Sequence, residues 1–387
     1  MRDWSITTIG DHCTVTSSKR FHLSERSDEG VPFYCSKEII QKVNGVEVED
    51  CDYIREELYE QVKREFGVPE AGDLLITTRG TYGVPYIYQE NDRFYFADGN
   101  LTWLKDFDND LIAEYLYYWV RSYEGQKKID AIAKGTAQKA VPIAGIKTLQ
   151  LALPPVSEQK KIVNILLQYD NLIENNQKQI KLLEEAAQRL YKEWFMDFHF
   201  PGYENTEIDN GIPTGWHMGT LGEIVEFRRG KTITKAQVEE GNVPVVAGGL
   251  EPAYYHNEAN TKAPVITVSG SGANAGFSRM YHEDVFASDC SFADIQGTKC
   301  ISFVYCFLKA NKYQLDALQK GSAQPHVYAK DINAMEMLIP QPELIARYCA
   351  KADVLFNKIG VLQKQMAAAS EARDRLLPKL MSGEIEL

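Results

Sequence analysis

The feature that most constrains the fold of this chain of 387 residues is an internal repeat. The run KGTAQ at residues 134–138 returns as KGSAQ at residues 320–324, an offset of 186. The same offset, without a gap, matches two alternating apolar patterns that each precede a proline: Leu149, Leu151 and Leu153, and Met335, Met337 and Ile339. Alternation with a period of two predicts a strand. Each copy of the loop therefore leads into a strand and then into a longer segment.

Earlier parts of the chain repeat at slightly different offsets, as insertions in loops would produce. WSITTIGD (4–11) resembles WHMGTLGE (216–223), ITTRGTYG (76–83) resembles ITVSGSGA (266–273), and FADGN (96–100) resembles FASDC (286–290). We interpret the chain as a tandem duplication. The predicted order is a globular domain at 1–156, a long helix at 157–197, a second globular domain at 198–342 and a second long helix at 343–387.

The two long segments carry a coiled-coil pattern. Apolar residues recur at alternating steps of four and three from Ile162 to Trp194, and the same ladder runs from Tyr348 to Leu380. This spacing predicts paired helices. The residues expected to pair them are Ile162, Leu166, Ile173, Asn176, Ile180, Leu183 and Leu190 in the first helix, and Leu355, Ile359, Leu362, Met366 and Leu376 in the second. Asn176 would fix the register. Arg373 also lies on the seam near one end, where the pairing could fray or bind something else.

The length of the helices suggests a spacer. Residues 162–194 rise by about 48 Å in an α-helix, and one turn of B-DNA is about 34 Å long. If the helices are antiparallel, a pseudo-twofold axis relates the two globular halves. Each half would then read its own short DNA segment, which explains why the loop is duplicated.

Composition limits the function classes. The net charge is −12, so the chain alone should bind DNA weakly, although 121–147 and 226–238 are locally basic. Seven scattered cysteines without a CxxC pair fit a reducing cytoplasm. No apolar run approaches the roughly 20 residues of a membrane span. We therefore expect a cytoplasmic protein with no membrane association.

Three motifs resemble catalytic or cofactor loops without their spacing. RRGKT (228–232) lacks the preceding glycine of a P-loop, SGSGANAG (269–276) suits a turn between strands, and LPPV (153–156) lacks the polar and aromatic ends of an amino-methyltransferase motif. The seven histidines form no close metal-binding set. The sequence predicts no catalytic residue and no metal site.

Polar side chains in loops after strands are the candidate DNA contacts. Arginine reads guanine and glutamine reads adenine through paired hydrogen bonds, and basic residues also bind phosphate. The candidates in the first half are Lys19, Arg20, Arg79, Thr81, Tyr82, Lys134, Thr136, Gln138 and Lys139. Those in the second half are Arg228, Arg229, Lys231, Ser269, Ser271, Asn274, Lys320, Ser322, Gln324 and His326. Each of them could instead cap or brace its own loop, above all Gln138 and Gln324, which recur in both halves.

Three longer stretches carry a resemblance to a known family. LPPVSEQKKIVNILLQYDNLIENNQKQIKLLEEAAQRLYKEWFMDF (153–198) and RDRLLPKLMSGEIEL (373–387) resemble the two repeated regions of a type I restriction–modification specificity subunit. GIPTGWHMGTLGEIVEFRRGKTI (211–233) resembles the start of that family's second target-recognition domain. The resemblance implies an α+β fold, with two mixed α/β target-recognition domains in pseudo-twofold arrangement, separated by two long antiparallel coiled-coil helices.

The resemblance also implies partners. A non-catalytic subunit of this kind binds double-stranded DNA, docks two adenine-N6 methyltransferase subunits through its helices, and is joined by restriction and translocase subunits. It holds no cofactor itself, because S-adenosylmethionine, ATP and Mg²⁺ are bound by the partners. Other functions remain open: a specificity subunit for a type IIB-like methyltransferase–nuclease fusion, a coiled-coil adaptor that binds protein, or a cryptic enzyme.

Overall fold

The computed structural model describes residues 4–135, 139–321 and 325–387. The chain divides into two compact units, one running up to Glu174 and including Ala367–Leu387, the other covering Asn175–Met366. The division falls inside both long helices. Each unit thus contains one globular half and a part of each helix, whereas the sequence pattern had assigned the helices to separate segments.

The described part of the first unit contains ten strands. They are β1 (Ser5–Thr8), β2 (Thr14–Thr16), β3 (Arg26–Ser27), β4 (Val31–Tyr34), β5 (Asp52–Ile54), β6 (Leu74–Thr77), β7 (Pro85–Ile87), β8 (Tyr95–Phe96), β9 (Leu101–Lys105) and β10 (Gln150–Leu153). Its helices are α1 (Ser36–Val43), α2 (Glu56–Glu65), α3 (Ala113–Arg121), α4 (Tyr123–Ile132), α5 (Ile143–Lys147) and the first part of α6 (Val156–Phe195). The sheets have the orders β2-β9-β6-β7, β3-β5-β4-β8 and β1-β10.

The second unit repeats this topology. Its strands are β11 (Ile208–Asp209), β12 (Ile212–Pro213), β13 (His217–Thr220), β14 (Arg228–Arg229), β15 (Val243–Val246), β16 (Tyr254–His256), β17 (Val265–Ser269), β18 (Ser278–Tyr281), β19 (Phe286–Ala287), β20 (Cys290–Asp294) and β21 (Glu336–Ile339). Its helices are α7 (Ile301–Ala310), α8 (Lys312–Ala317), α9 (Ala329–Asn333) and most of α10 (Pro342–Met381). The orders β14-β20-β17-β18 and β13-β21 match β2-β9-β6-β7 and β1-β10, and β16-β15-β19 matches β5-β4-β8 without a counterpart of the edge strand β3 among the described residues. The second unit also has a two-stranded sheet, β11-β12. The mixed α/β fold and its duplication are confirmed.

Hydrogen bonds correct the proposed match of 76–83 with 266–273. The Thr78 amide donates to Asn100 O and Thr78 O accepts from Val141, and Gly270 makes the same pair of bonds with Asp289 and Val327. Thr78 is therefore equivalent to Gly270, Arg79 to Ser271 and Asn100 to Asp289, a shift of two residues from the sequence match. A shift of two leaves every side chain on the same face of a strand, so the apolar pattern could not detect it. The match of FADGN with FASDC is displaced by one residue at this point, because Asn100 corresponds to Asp289 and not to Cys290.

Each unit has its own principal core. In the first unit, Ile76 on β6 shares a buried apolar cluster with Ile162 on α6. In the second unit, an aromatic cluster joins α6, α7 and α10. The ring centroid of Phe195 lies 5.0 Å from that of Phe303 and 5.2 Å from that of Tyr348. Both long helices thus belong to packed cores.

Within each unit, α6 contacts α10. In the first unit, Arg373 donates to Asp170, and the Lys161 ammonium donates to Leu387 O at 3.0 Å. Residue numbers therefore rise along one segment as they fall along the other. These segments therefore run antiparallel. In the second unit, the Tyr348 hydroxyl donates to Ala187 O at 3.1 Å.

The positions expected to pair the helices lie away from solvent. Ile162, Leu166, Asn176, Ile359 and Leu362 are buried, and Ile173, Ile180, Leu183, Leu190, Leu355, Met366 and Leu376 are half-buried. The helix bounds differ slightly from the predicted 157–197 and 343–387: α6 ends at Phe195 and α10 at Met381, where Gly383 has a φ of 69°. Among the described residues, no helix is both long enough and apolar enough to cross a bilayer.

Of the two alternatives for Arg373, fraying is wrong, and the residue binds an acidic side chain of the other long helix. Its guanidinium donates to the Asp170 carboxylate at 2.6 Å, and the side chain is 15% exposed. Asp170 also accepts from the Tyr118 hydroxyl at 2.8 Å and from Arg121 at 3.0 Å. An arginine at a seam position is satisfied here by an acid that the apolar pattern of the helix does not reveal.

Candidate nucleic-acid interface

The repeated loop of the first unit is closed by its own backbone. The Lys134 amide donates to Ala140 O at 2.9 Å, and the Ala140 amide donates to Lys134 O at 2.8 Å. Gly135 has a φ of 114°, a conformation that favours glycine and so explains its place in the repeat. Arg79 forms a further antiparallel bridge with Ala140. The fold thus brings Arg79 and Lys134 together, as the sequence could only suggest.

A cavity of about 290 Å³ lies beside this loop, lined by residues that include Thr78, Arg79, Gly99 and Lys134. Arg79, Lys134 and Lys139 are exposed. Among the residues that the structure describes, none of these three cations has an ion-pair partner. The Arg79 guanidinium lies beside Gly99, where a Cβ would be 3.5 Å from Nη2. Unpaired cations around an open cavity form a suitable contact surface for phosphate or a base edge.

The other candidates of the first unit lie outside this cavity lining. The Tyr82 hydroxyl hydrogen-bonds to Asp130, which raises the pKa of Tyr82, and Thr81 O accepts from Thr77 Oγ1 at 2.8 Å. The Lys19 ammonium lies 4.9 Å from the centre of the Phe66 ring, and Arg20 lies 3.9 Å from Asp98. Thr136 and Gln138 lie outside the described residues.

The second unit closes its loop in the same way. The Lys320 and His326 amides each donate to the other residue's carbonyl at 2.9 Å, and Ser271 bridges to His326. A cavity of about 400 Å³ is lined by residues that include Arg229, Ser271, Asp289 and His326. Ser322 and Gln324 lie outside the described residues. The same backbone device therefore presents a different set of side chains.

Charge distinguishes the two cavities. The Lys320 ammonium donates to Asp331 at 2.8 Å, whereas the residue equivalent to Asp331 in the first unit is Gly145. Ser271 Oγ donates to Asp289 Oδ2 at 2.5 Å inside the cavity lining. The lining of the second cavity therefore combines the Asp289 carboxylate with Arg229, and Asp331 neutralises the lysine of the adjacent loop. Among the described residues, the lining of the first cavity contains Arg79 and Lys134 and no acid.

Several candidates of the second unit are already engaged. Arg228 donates to the fully buried Asp294 at 3.2 Å and stacks over Phe292. Ser269 is 4% exposed and its hydroxyl donates to Gly248 O at 3.1 Å, so the structure does not support a direct DNA contact by Ser269.

Two further candidates remain near solvent. Asn274 donates weakly to the same Gly248 carbonyl, at 3.4 Å, and is half-buried. Lys231 and Arg229 are exposed, and Arg229 lines the cavity. Of the basic residues at 228–231, Arg229 is thus the one placed beside the Ser271 loop.

Sequence reasoning missed Asp289. It lies in the segment FASDC, which was noted only as a repeat, because a single acid in a loop carries no signal without its neighbours. His12, Asp108 and Asp110 also lie within 4.8 Å of one another, a group that the sequence did not suggest. His12 Nδ1 is 2.7 Å from Asp108 Oδ2, and Asp108 Oδ1 accepts from the amides of Asp110 and Leu111. These bonds account for the cluster as a loop brace.

Comparison with known proteins identifies the family. The profile of the type I restriction modification DNA specificity domain matches residues 1–185 and 213–364. The chain belongs to this family. A relative from Methanocaldococcus jannaschii, the type I restriction enzyme MjaIX specificity subunit, is 27% identical over 352 residues, covering 82% of this chain and 78% of the relative. The HindI specificity subunit of Haemophilus influenzae is 22% identical over the full length of both chains.

A solved structure supports the fold. The crystal structure of a type I restriction–modification S subunit from M. genitalium covers 98% of this chain with a TM-score of 0.62 and 19% identity. The chain is thus a specificity subunit of the type I family, whose role is non-catalytic. The relatives do not favour the type IIB-like fusion system considered from the sequence.

Proposed function

We propose that this specificity subunit directs a type I restriction–modification complex to a bipartite, asymmetric DNA site. The observation that carries the proposal is the duplicated loop with its cavity. Both units close the loop with the same backbone bonds, yet Arg79 and Lys134 in one are replaced by Ser271 and a paired Lys320 in the other. Two domains that recognise different DNA sequences on the same scaffold need the same backbone with different side chains.

The helices are proposed to set the gap between the two half-sites. Each is a continuous helix of 40 residues, and the seam residues of both are buried or half-buried. Buried apolar seams resist changes of length or register, because a shift would expose apolar surface. The spacer read on the DNA should therefore follow helix length.

Partners are proposed to supply chemistry and most of the DNA affinity. The net charge of −12 disfavours tight binding by the chain alone. Two adenine-N6 methyltransferase subunits would dock on the helices, and restriction and translocase subunits would join them in the cytoplasm. S-adenosylmethionine, ATP and Mg²⁺ would be held by those partners, with no metal or cofactor on this chain.

Mapping methylated adenines across the host genome, with and without this gene, tests the proposal. We expect a motif of two short blocks that disappears when the gene is deleted. An unchanged methylation pattern would refute the proposed function.

A change of helix length tests the spacer. Removing one heptad from each helix shortens it by about 10 Å, or roughly three base pairs of B-DNA. We expect a shorter gap between unchanged blocks. A matched control removes seven residues from one helix only, which should disrupt the pairing and abolish methylation. An unaltered gap after the double deletion would contradict the spacer role.

A further inference from the structure

The two units carry opposite hydrogen-bonding chemistry at one equivalent place. The backbone bonds that equate Thr78 with Gly270 also place Arg79 opposite Ser271 and Asn100 opposite Asp289. At the first of these two neighbouring positions the arginine donor of the first unit faces a serine, and at the second position the asparagine faces a carboxylate. Because the surrounding backbone is the same, this difference lies in the side chains alone.

In the first unit, hydrogen bonds hold the backbone of Arg79, whereas its guanidinium is free. Arg79 is bridged to Ala140, and the neighbouring Thr78 bonds both Asn100 and Val141. The guanidinium is exposed and, within the described part of the chain, has no hydrogen-bond partner. An exposed guanidinium without a protein partner can donate two bonds to O6 and N7 of guanine in the major groove.

In the second unit, the Asp289 carboxylate is oriented by Ser271. The hydroxyl donates to Oδ2 at 2.5 Å, and no hydrogen bond to Oδ1 is formed by any described residue. Asp289 lines the 400 Å³ cavity together with Arg229 and His326. A carboxylate repels phosphate, so a DNA contact made by Asp289 itself is to a base that offers a donor, whereas Arg229 in the same lining can bind phosphate. The exocyclic N4 amine of cytosine is the usual partner of an aspartate.

We infer that Arg79 and Asp289 are base-discriminating residues, Arg79 for a guanine in one half-site and Asp289, positioned by Ser271, for a cytosine in the other. This inference rests on the proposed function. It adds which residues select a base, and it predicts that the two half-sites differ because the first unit offers a guanidinium donor and the second a carboxylate acceptor beside the repeated loop.

The test uses the whole complex in a host that carries its partner genes. Methylated adenines are mapped for wild type and for Arg79→Ala, Arg79→Lys and Asp289→Ala. Loss of a base contact should relax discrimination at one position by roughly 5- to 150-fold. We expect Arg79→Ala to relax the requirement for a guanine in one block, and Asp289→Ala to relax the requirement for a cytosine in the other block.

Two variants separate base reading from other roles. Arg79→Lys keeps the charge but loses the paired geometry, so the guanine should still be relaxed. Lys139→Ala removes a nearby exposed cation and should weaken methylation uniformly without changing the motif. If Asp289→Ala fails to fold, all methylation is lost, and Ser271→Ala then tests the same cytosine by releasing the carboxylate.

Definite outcomes would overturn the inference. An intact motif in Arg79→Ala would mean that Arg79 selects no base. An unchanged cytosine in Asp289→Ala, or in Ser271→Ala when the first variant does not fold, would reject the second half. If both variants relax the base requirement in the same block, the assignment to separate half-sites is rejected. A wild-type pattern that does not depend on the gene would instead refute the proposed function.

Discussion

Substitution of Asp170 tests how the antiparallel helix segments of the first unit are held. Its carboxylate is 22% exposed and accepts hydrogen bonds from Tyr118, Arg121 and Arg373. Asp170→Asn removes the charge with little change in shape or in helix propensity. Arg121, which is 24% exposed, would then lack a counter-charge, and Arg373, which is 15% exposed, would keep only Asp374 at 2.8 Å. Breaking a fully buried pair costs about 3–5 kcal/mol. We expect about 3 kcal/mol here, because the groups retain some solvent.

The same network predicts an order among variants. Arg373→Ala should cost less than Asp170→Asn, about 1–2 kcal/mol, because Asp170 keeps Tyr118 and Arg121 as donors. Arg375→Ala is the matched control on the same helix. Its side chain is 78% exposed in an ion pair with Glu371, so we expect a loss below about 0.5 kcal/mol.

Urea unfolding followed by circular dichroism measures these changes. Amide hydrogen exchange over residues 156–174 assigns the loss to the first unit. For a unit of this size, about 3 kcal/mol corresponds to a fall in Tm of roughly 6–12 °C. If Asp170→Asn is no more destabilising than Arg375→Ala, the network does not stabilise the helix contact and the reasoning is wrong.

Three further predictions concern charge and titration. Lys134→Ala should reduce the slope of log affinity against log salt concentration, for DNA binding by the complex, by about 0.9. Lys320→Ala should change this slope less, because Lys320 is already paired with Asp331. Equal effects of the two variants would contradict the distinction between the cavities. Burial, with a smaller effect of Lys364, lowers the pKa of His282 below 6.5. The contribution of His282 to the free energy of unfolding is therefore complete above pH 6.5 and is lost as the pH falls through the pKa of the folded state. His282→Gln should therefore flatten urea stability between about pH 6.5 and 5, and an unchanged slope would refute this. The hydrogen bond with Cys349 lowers the pKa of Cys300, while burial raises the pKa of Cys13 to about 12. Brief iodoacetamide treatment near neutral pH should therefore label the half-buried Cys300 before the buried Cys13, as read by mass spectrometry; earlier labelling of Cys13 would refute this.

The sequence by itself determined the duplication and the long helices. The offset of 186 between the loops and the ladder from Ile162 to Trp194 are local or periodic signals, and they survive without knowledge of contacts. The strands that precede each helix were also predicted, because alternation along Leu149–Leu153 and Met335–Ile339 reflects one buried face. The glycines of the repeat follow the same logic, since Gly135 and Gly321 both have positive φ.

Only the tertiary structure decided which residues meet. The register of β6 and β17 could slip by two positions without changing the apolar pattern, so hydrogen bonds to distant strands were needed to equate Arg79 with Ser271. Asp170 and Arg373 lie 203 residues apart, and Lys320 differs from Lys134 only because Asp331 stands where the other unit has Gly145. Pairings between charges depend on positions in space, and a single sequence records the charges but not the distances between them.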